Sequence, residues 1–206
     1  TTITNPDNSQ VKNVYNSARL LDQVQRKKST VGAFVNVVTN FDYSPEGKVA
    51  TQTNANGTTT VNTYDPAKLY RLTNKVTSSA GGTRIQDVTY VYDPVGNIIQ
   101  ATDASATANA KTANYVYDDL HRLTSAVITN VATGQTPYTQ NYNYDAIGNI
   151  LTKTETIGAN PAATSSYNYT GNNGTNYANP HAVTSISDGT NITNYTYDNN
   201  GNMTLD

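Results

Sequence analysis

Two histidines, His121 and His181, are the side chains of this 206-residue chain best suited to proton transfer near neutrality. A Ser–His–Asp arrangement is open on composition, yet no nucleophile-elbow pattern accompanies either His. With no Cys there is no thiolate metal ligand, no disulfide and no Cys nucleophile. Asp198-Asn199-Asn200-Gly201-Asn202 has the oxygen-rich look of a calcium loop but lacks the later acidic ligand. Its counterparts beginning Asp93-Pro94 and Asp145-Ala146 lose the oxygen ligands, so all three read as turns. His121 stands where those counterparts carry Gly, and His tolerates the left-handed conformation better than most residues. His181 reads as a packing or hydrogen-bonding residue. The sequence predicts no catalytic residue, no cofactor and no metal.

The elements that hold these residues are written in the composition. The chain has 34 Thr, 28 Asn and 16 Tyr, against 37 Leu, Ile, Val and Phe together. That apolar content falls in the range of disordered chains, but the net charge of only −2 does not. Thr, Tyr and Val favour strands, while Asn and Gly favour turns. An all-β chain whose apolar area comes largely from Tyr is the expectation. Charged residues are 14% of the chain and the longest basic run is Arg26-Lys27-Lys28, which leaves no face for nucleic acid. No apolar stretch approaches the roughly 20 residues of a membrane span. The start at Thr1 and the stop at Asp206, soon after a motif, suggest a processed product or a piece of something longer.

The chain repeats itself. Tyr92-Asp93-Pro94-Val95-Gly96-Asn97-Ile98 returns as Tyr144 to Ile150, as Tyr197 to Met203 and, more loosely, as Tyr43 to Val49. Gly is always four residues after Tyr, and an apolar residue six after it. A second type interleaves: Tyr117-Asp118-Asp119-Leu120-His121-Arg122-Leu123, a weaker copy from Tyr15, and a copy from Tyr64 with two extra residues. Tyr169 opens a degenerate copy. The anchors Tyr15, Tyr43, Tyr64, Tyr92, Tyr117, Tyr144, Tyr169 and Tyr197 are spaced 28, 21, 28, 25, 27, 25 and 28 residues apart. The repeating unit is a pair of copies. Residues 1–206 read as one array, least regular over the first 40 or so.

Before each anchor the pattern has period two, as in Tyr90-Val91-Tyr92, Tyr115-Val116-Tyr117, Tyr142-Asn143-Tyr144, Tyr167-Asn168-Tyr169, Tyr195-Thr196-Tyr197 and Phe41-Asp42-Tyr43. Both rings then lie on one face of a strand, where cross-strand stacking of Tyr on Tyr, Ile or Val is expected. Asp and Pro suit the opening of a type I turn, and Gly47, Gly96, Gly148 and Gly201 suit the left-handed residue closing a bulged hairpin. Each copy reads as strand, turn, strand and variable loop. Loops are placed at Ser79 to Gly82, Asp103 to Ala113, Gly158 to Ala163, Gly171 to Pro180 and Ser187 to Asn191. Val31 to Phe41 reads as a longer strand pair, and no helix is evident. Since one hairpin cannot bury its own face, the copies must share a sheet. Repeated bulges would curve that antiparallel sheet into a ribbon, shell or solenoid.

Tyr-Asp-x-x-Gly-Asn-(Ile/Met) alternating with Tyr-Asp-x-x-x-Arg-Leu-Thr resembles the RHS/YD-repeat family, as does Asn179-Pro180-His181-Ala182-Val183-Thr184-Ser185-Ile186. The resemblance spans residues 12 to 204 and is clearest from Tyr64 onward. It implies a spiralling β-sheet that closes into a hollow shell. Such shells enclose toxic segments in bacterial polymorphic toxins and insecticidal toxin complexes, and a similar barrel serves adhesion in teneurins. The family's core segment after the repeats, with its self-cleavage site, is expected beyond Asp206, so the resemblance assigns neither toxicity nor proteolysis to this chain. The expected function is a non-enzymatic scaffold, secreted or at the cell surface. Its partners would be neighbouring repeats of the same or a longer chain. Two other readings are a self-assembling fibre or sheath subunit paired through open edges, and an adhesin-like module binding glycans or proteins through the loops.

Overall fold

The computed structural model describes all residues except 30, 106–109, 130–131, 171–179, 199 and 206. The chain is all-β, with 57% of residues in strands. Sixteen strands follow one another in chain order in an antiparallel sheet. They are β1 Thr2–Thr4, β2 Gln10–Tyr15, β3 Leu21–Lys27, β4 Val35–Tyr43, β5 Val49–Asn54, β6 Thr59–Asp65, β7 Arg71–Ser78, β8 Arg84–Tyr92, β9 Ile98–Asp103, β10 Lys111–Tyr117, β11 Leu123–Thr129, β12 Tyr138–Tyr144, β13 Ile150–Ile157, β14 Ala163–Asn168, β15 Ser185–Ser187 and β16 Ile192–Asn194. A separate two-stranded sheet holds β17 Thr196–Tyr197 and β18 Met203–Leu205. A single 3₁₀ turn, Pro66–Lys68, interrupts the strands among the described residues. The chain divides into two compact units, one of residues 1–91 with 101–111, the other of 92–100 with 112–206.

In the first unit the Tyr15 copy has the same turn as the regular copies. Asn16 N–H donates to the Leu20 carbonyl and Arg19 N–H to the Asn16 carbonyl, with Arg19 left-handed at φ 62°. The residues before it also form a hairpin, β1 to β2, closed by the same turn over Asn5 to Ser9 although no Tyr precedes it. Val31 to Phe41 holds one strand rather than a pair, since β4 starts at Val35 and runs on through Tyr43 between β3 and β5. The two extra residues of the Tyr64 copy are absorbed by the 3₁₀ turn and by Leu69 and Tyr70, both left-handed. Asn54 to Thr58 and Ser79 to Thr83, at the opposite ends of their strands, repeat the five-residue turn. Both ends of the hairpins therefore use one piece of chemistry.

In the second unit the register defines two faces. Tyr115, Ala126, Gln140, Glu155 and Ala163 are successive partners on one. Val116, Ser125, Asn141, Thr154 and Thr164 succeed one another on the other. The best-covered apolar group is small: Ala113, Ala126 and Ile128, with Tyr115, Leu123 and Tyr138 against it. No large described side chain is fully buried. The Tyr169 copy departs from the pattern, because its return strand begins only at β15. Part of the loop expected at Gly171 to Pro180 lies outside the described residues.

The turns behave as a type I turn followed by a left-handed residue. Asp145 N–H donates to the Asn149 carbonyl, and Gly148 N–H to the Asp145 carbonyl, with φ +97° at Gly148. A Cβ on Gly148 would meet nothing within 4 Å, whereas one on Gly57 would lie 2.6 Å from the Ala80 Cβ. Gly148→Ala should therefore cost about 1 kcal/mol of backbone strain alone. Gly57→Ala should cost more, and Gly148→Asn less, since Asn adopts this conformation readily. Urea midpoints of the three variants measure the order, and an unmoved Gly148→Ala midpoint would remove the turn assignment.

Candidate functional site

The side chains that recur in phase are the anchor tyrosines and the turn residues after them. Five anchors pair with the apolar residue six positions on, and one extra residue then shifts the register; Tyr64, with its two added residues, pairs with Leu72 instead. Tyr15 pairs with Leu21, Tyr43 with Val49, Tyr117 with Leu123, Tyr144 with Ile150 and Tyr197 with Met203. The added residues are Asp22, Ala50, Thr124, Leu151 and Thr204. This is a β-bulge at an equivalent place in each of these copies, additional to the bulge at the turn.

The paired rings of Tyr90 and Tyr92, Tyr115 and Tyr117, Tyr142 and Tyr144, Tyr167 and Tyr169, and Tyr195 and Tyr197 are all half-buried. Between them Val91, Val116, Asn143 and Asn168 are exposed, as period-two alternation requires. Phe41 and Tyr43 approach ring to ring at 6.5 Å. The contact that recurs, however, is made by the phenol. In the first unit Tyr43 donates to the Leu21 carbonyl (2.6 Å) and Tyr64 to the Val49 carbonyl (3.0 Å). In the second, Tyr117 donates to Ile98 (2.8 Å), Tyr144 to Leu123 (2.7 Å), Tyr169 to Ile150 (3.0 Å) and Tyr197 to Val183 (3.0 Å). Leu21, Val49, Ile98, Leu123 and Ile150 are each the plus-six residue of the preceding copy. Their carbonyls flank the bulge, where the strand ladder is locally disrupted, and each carbonyl oxygen has a second lone pair to offer. Tyr15, the first anchor, is 48% exposed.

A second set of bonds runs along the turns. In the copies at Tyr92, Tyr117, Tyr144 and Tyr197 the Asp after the anchor accepts from the turn backbone and from the side chain at plus five. Asn97 donates to Asp93 (2.8 Å), Arg122 to Asp118 (2.7 Å), Asn149 to Asp145 (2.8 Å) and Asn202 to Asp198 (2.9 Å). Three of these plus-five side chains, Asn97, Arg122 and Asn149, also reach the next turn. Asn97 Nδ2 lies 3.0 Å from His121 Nδ1. Arg122 donates to the Asp145 carbonyl (2.8 Å) while its guanidinium lies over the Tyr144 ring at 4.7 Å. Asn149, which is buried, donates to the Pro180 carbonyl (2.8 Å), and its Oδ1 lies 2.8 Å from His181 Nδ1. In the first unit Lys48 does the same work, donating to the Tyr70 carbonyl and lying 5.1 Å above the Tyr64 ring.

Electrostatics follow this bonding. At Asp93 and Asp145 partial burial pushes the carboxyl up, but the donors of Asn97 and Asn149 together with turn N–H groups outweigh it, and both lie below the ordinary carboxylate range. The Arg122 N–H holds Asp118 down, and the Asn202 side chain holds Asp198 down. Desolvation raises the phenols of Tyr117, Tyr144 and Tyr169. Carboxylates held ionised and phenols held protonated suit hydrogen bonding rather than proton exchange near neutrality.

The structure places the left-handed residues Gly47, Gly96, Gly148, Gly201 and His121 at φ 77°, 112°, 97°, 82° and 60°. His121 and His181 fall on different turns, each beside an Asn amide, so they share no site. Among the described residues no three His, Cys, Asp or Glu side chains group as a metal site. The reach of the plus-five side chains into the next turn was not foreseen. Its signal was the polar residue always standing between Gly or His and the plus-six apolar residue.

Two measurements test these ladders. Tyr144→Phe should lower stability by about 1 kcal/mol, the ordinary net worth of such a bond, without loss of strand content by circular dichroism. The raised phenols stabilise the fold fully below pH ~10, and that contribution is lost as pH rises through their folded values. The depressed aspartates stabilise it above pH ~4, and that contribution is lost as pH falls through theirs. A plot of melting temperature against pH should thus hold a plateau between these limits and fall on both sides. Tyrosinate absorbance should show a late-titrating class that Tyr144→Phe diminishes.

No protein-family model matches this chain, and no curated protein matches it. Solved structures do. The Photorhabdus luminescens Tc holotoxin pore matches over 98% of this chain at 23% identity and a TM-score of 0.75. The crystal structure of TcdB2-TccC3 matches over 98% at 20% identity and 0.73. That of TcdB2-TccC3-TEV matches over 81% at 24% identity and 0.70. The chain spans 9%, 11% and 13% of the TcdB2-TccC3-TEV, holotoxin and TcdB2-TccC3 chains. No described helix is long and apolar enough to cross a membrane. The neighbours are RHS/YD-repeat proteins of insecticidal toxin complexes, and theirs is the fold that this chain adopts.

Proposed function

We propose that this chain is a wall segment: a non-enzymatic β-repeat scaffold of a secreted or surface RHS/YD-repeat protein. One observation carries the reading. Each phenol contact made by Tyr43, Tyr64, Tyr117, Tyr144 and Tyr169 fastens a copy to the plus-six carbonyl of the one before it. The polar side chains of the turns are likewise engaged with the next turn. Structure made this way extends by addition, which suits a wall and leaves little polar chemistry idle. The likeness to toxin-complex shells supports the same reading. Its partners are then adjoining repeats of a longer chain.

The test is removal of one pair of copies. Deleting residues 92 to 143 joins Val91 to Tyr144 and preserves both alternations. The shortened chain should remain folded and cooperative, with a lower melting temperature, because stability accumulates over neighbouring repeats. Deleting residues 92 to 116 instead joins Val91 to Tyr117 and puts two copies of the second type in succession. It should destabilise the chain more. Complete unfolding of the pair deletion would rule out the additive wall.

A further inference from the structure

The second unit exposes apolar side chains where a soluble turn has no need of them. The third residue after the anchor is Val95, Leu120 or Ile147, and these are 65%, 67% and 56% exposed. Ile99, Val116 and Leu151 lie exposed beside them. The fold does not demand this, since Ala18, Glu46 and Asn200 fill the same position in other copies. What sets Val95, Leu120 and Ile147 apart from the chain's other exposed apolar side chains is their recurrence at one position of three successive turns, with Ile99 and Val116 lining the same cavity as Val95.

Charge and shape narrow the partner. The turns of the row carry Asp93, Asp118, Asp119 and Asp145 against one guanidinium, Arg122, already tied to Asp118. This edge is more negative than the net −2 of the whole chain. An open cavity of about 410 Å³ lies between the first two turns, lined by Ile99, Val116 and Tyr117 together with Asp93, Asp119 and His121. Equivalent turns are two strands apart, so the aliphatic tips recur about every 10 Å along the edge. A peptide in the polyproline II conformation advances about 9 Å in one three-residue turn and returns every third side chain to the same face, which the two-residue alternation of a β-strand does not.

We propose that this edge binds a basic peptide segment in the polyproline II conformation, bearing an aliphatic residue at every third position with Lys or Arg between. The aliphatic side chains lie against Val95, Leu120 and Ile147, and one cationic side chain enters the cavity toward Asp119. Such a site reads periodicity and charge rather than one sequence. The inference does not depend on the wall reading, because a scaffold and a free-standing module would display the edge equally.

A fluorescein-labelled peptide about ten residues long, with Leu at every third position and Lys and Arg between, is the probe. Titrated with the full chain and followed by anisotropy, it should bind saturably and weaken as salt rises. The variant Val95→Asn/Leu120→Asn/Ile147→Asn should bind about tenfold more weakly, equivalent to ~1.4 kcal/mol. Asn already occupies this position at residue 200, and circular dichroism checks the fold. If the triple variant does not fold, Leu120→Asn alone should still weaken binding about threefold. Absence of saturable binding, equal binding of a scrambled peptide of the same composition, or an unchanged affinity of the folded variant would overturn the proposal. So would a wild-type dimer in light scattering that Leu120→Asn dissolves, which would make the row a contact between copies.

Discussion

A sheet whose described side chains include no large one fully buried cannot rest on a packed interior. What it rests on is the bond from the phenols of Tyr43, Tyr64, Tyr117, Tyr144, Tyr169 and Tyr197 to a carbonyl of the copy before. Net, such a bond is worth only about 0.5–1.5 kcal/mol. Its importance is positional. The strand ladder joins neighbouring strands but tolerates slippage where the faces are polar, and this chain's faces carry long rows of Thr, Asn and Ser. A phenol that reaches its acceptor in only one register penalises every slipped alternative. The bulge beside that acceptor does the same from the other side, since an extra residue at one place fixes the pairing of all the residues beyond it.

The two types of copy are explained by what stands five residues after Tyr. In the Gly-Asn copies the short amide spans from its own Asp to the neighbouring turn, as Asn97 and Asn149 do. In the Arg-Leu copy at Tyr117 the guanidinium holds its own Asp with Nε, reaches the Asp145 carbonyl with Nη1, and covers the Tyr144 ring. Its planar fork can do all three at once. Lys48 keeps the forward bond and the ring contact. The alternation is thus a pattern of forward contacts, and the structural unit is the junction between copies more than the copy itself.

Much of one copy was legible. Tyr-x-Tyr-Asp-x-x-Gly states a strand face, a turn type and a left-handed residue within seven positions, and His121 declares itself as the Gly equivalent by phase alone. The Tyr pattern proved a poor guide wherever the turn stood without it. Asn5 to Ser9 closes a hairpin with no aromatic residue, and Ser79 to Thr83 looks like a loop while forming the same turn. What the pattern could not supply were contacts between copies. Tyr144 and the Leu123 carbonyl are 21 residues apart, and His181 and Asn149 are 32 apart. Ring stacking was the natural expectation for so many tyrosines, but the pleat that places two rings on one face also carries the phenol oxygens toward the previous copy. The second bulge, not visible in the spacing, lies beside the carbonyls of Leu21, Val49, Leu123 and Ile150 that accept four of those bonds.

The composition follows from this economy. Leu, Ile and Phe stabilise by being surrounded, which one layer of strands cannot arrange. Tyr stabilises when half covered, because its ring takes area from water while its oxygen makes a directed bond. Thr and Asn add cross-strand bonds such as Thr60 to Thr77, Thr154 to Thr164 and Gln100 to Asn114 without needing burial. A chain poor in aliphatic residues can therefore hold such a sheet together, since its stabilising contacts are local to each junction and are made again at the next. That is also why the exposed Val95, Leu120 and Ile147 stand out physically: they are the apolar residues of the turn edge that this logic leaves without a structural use.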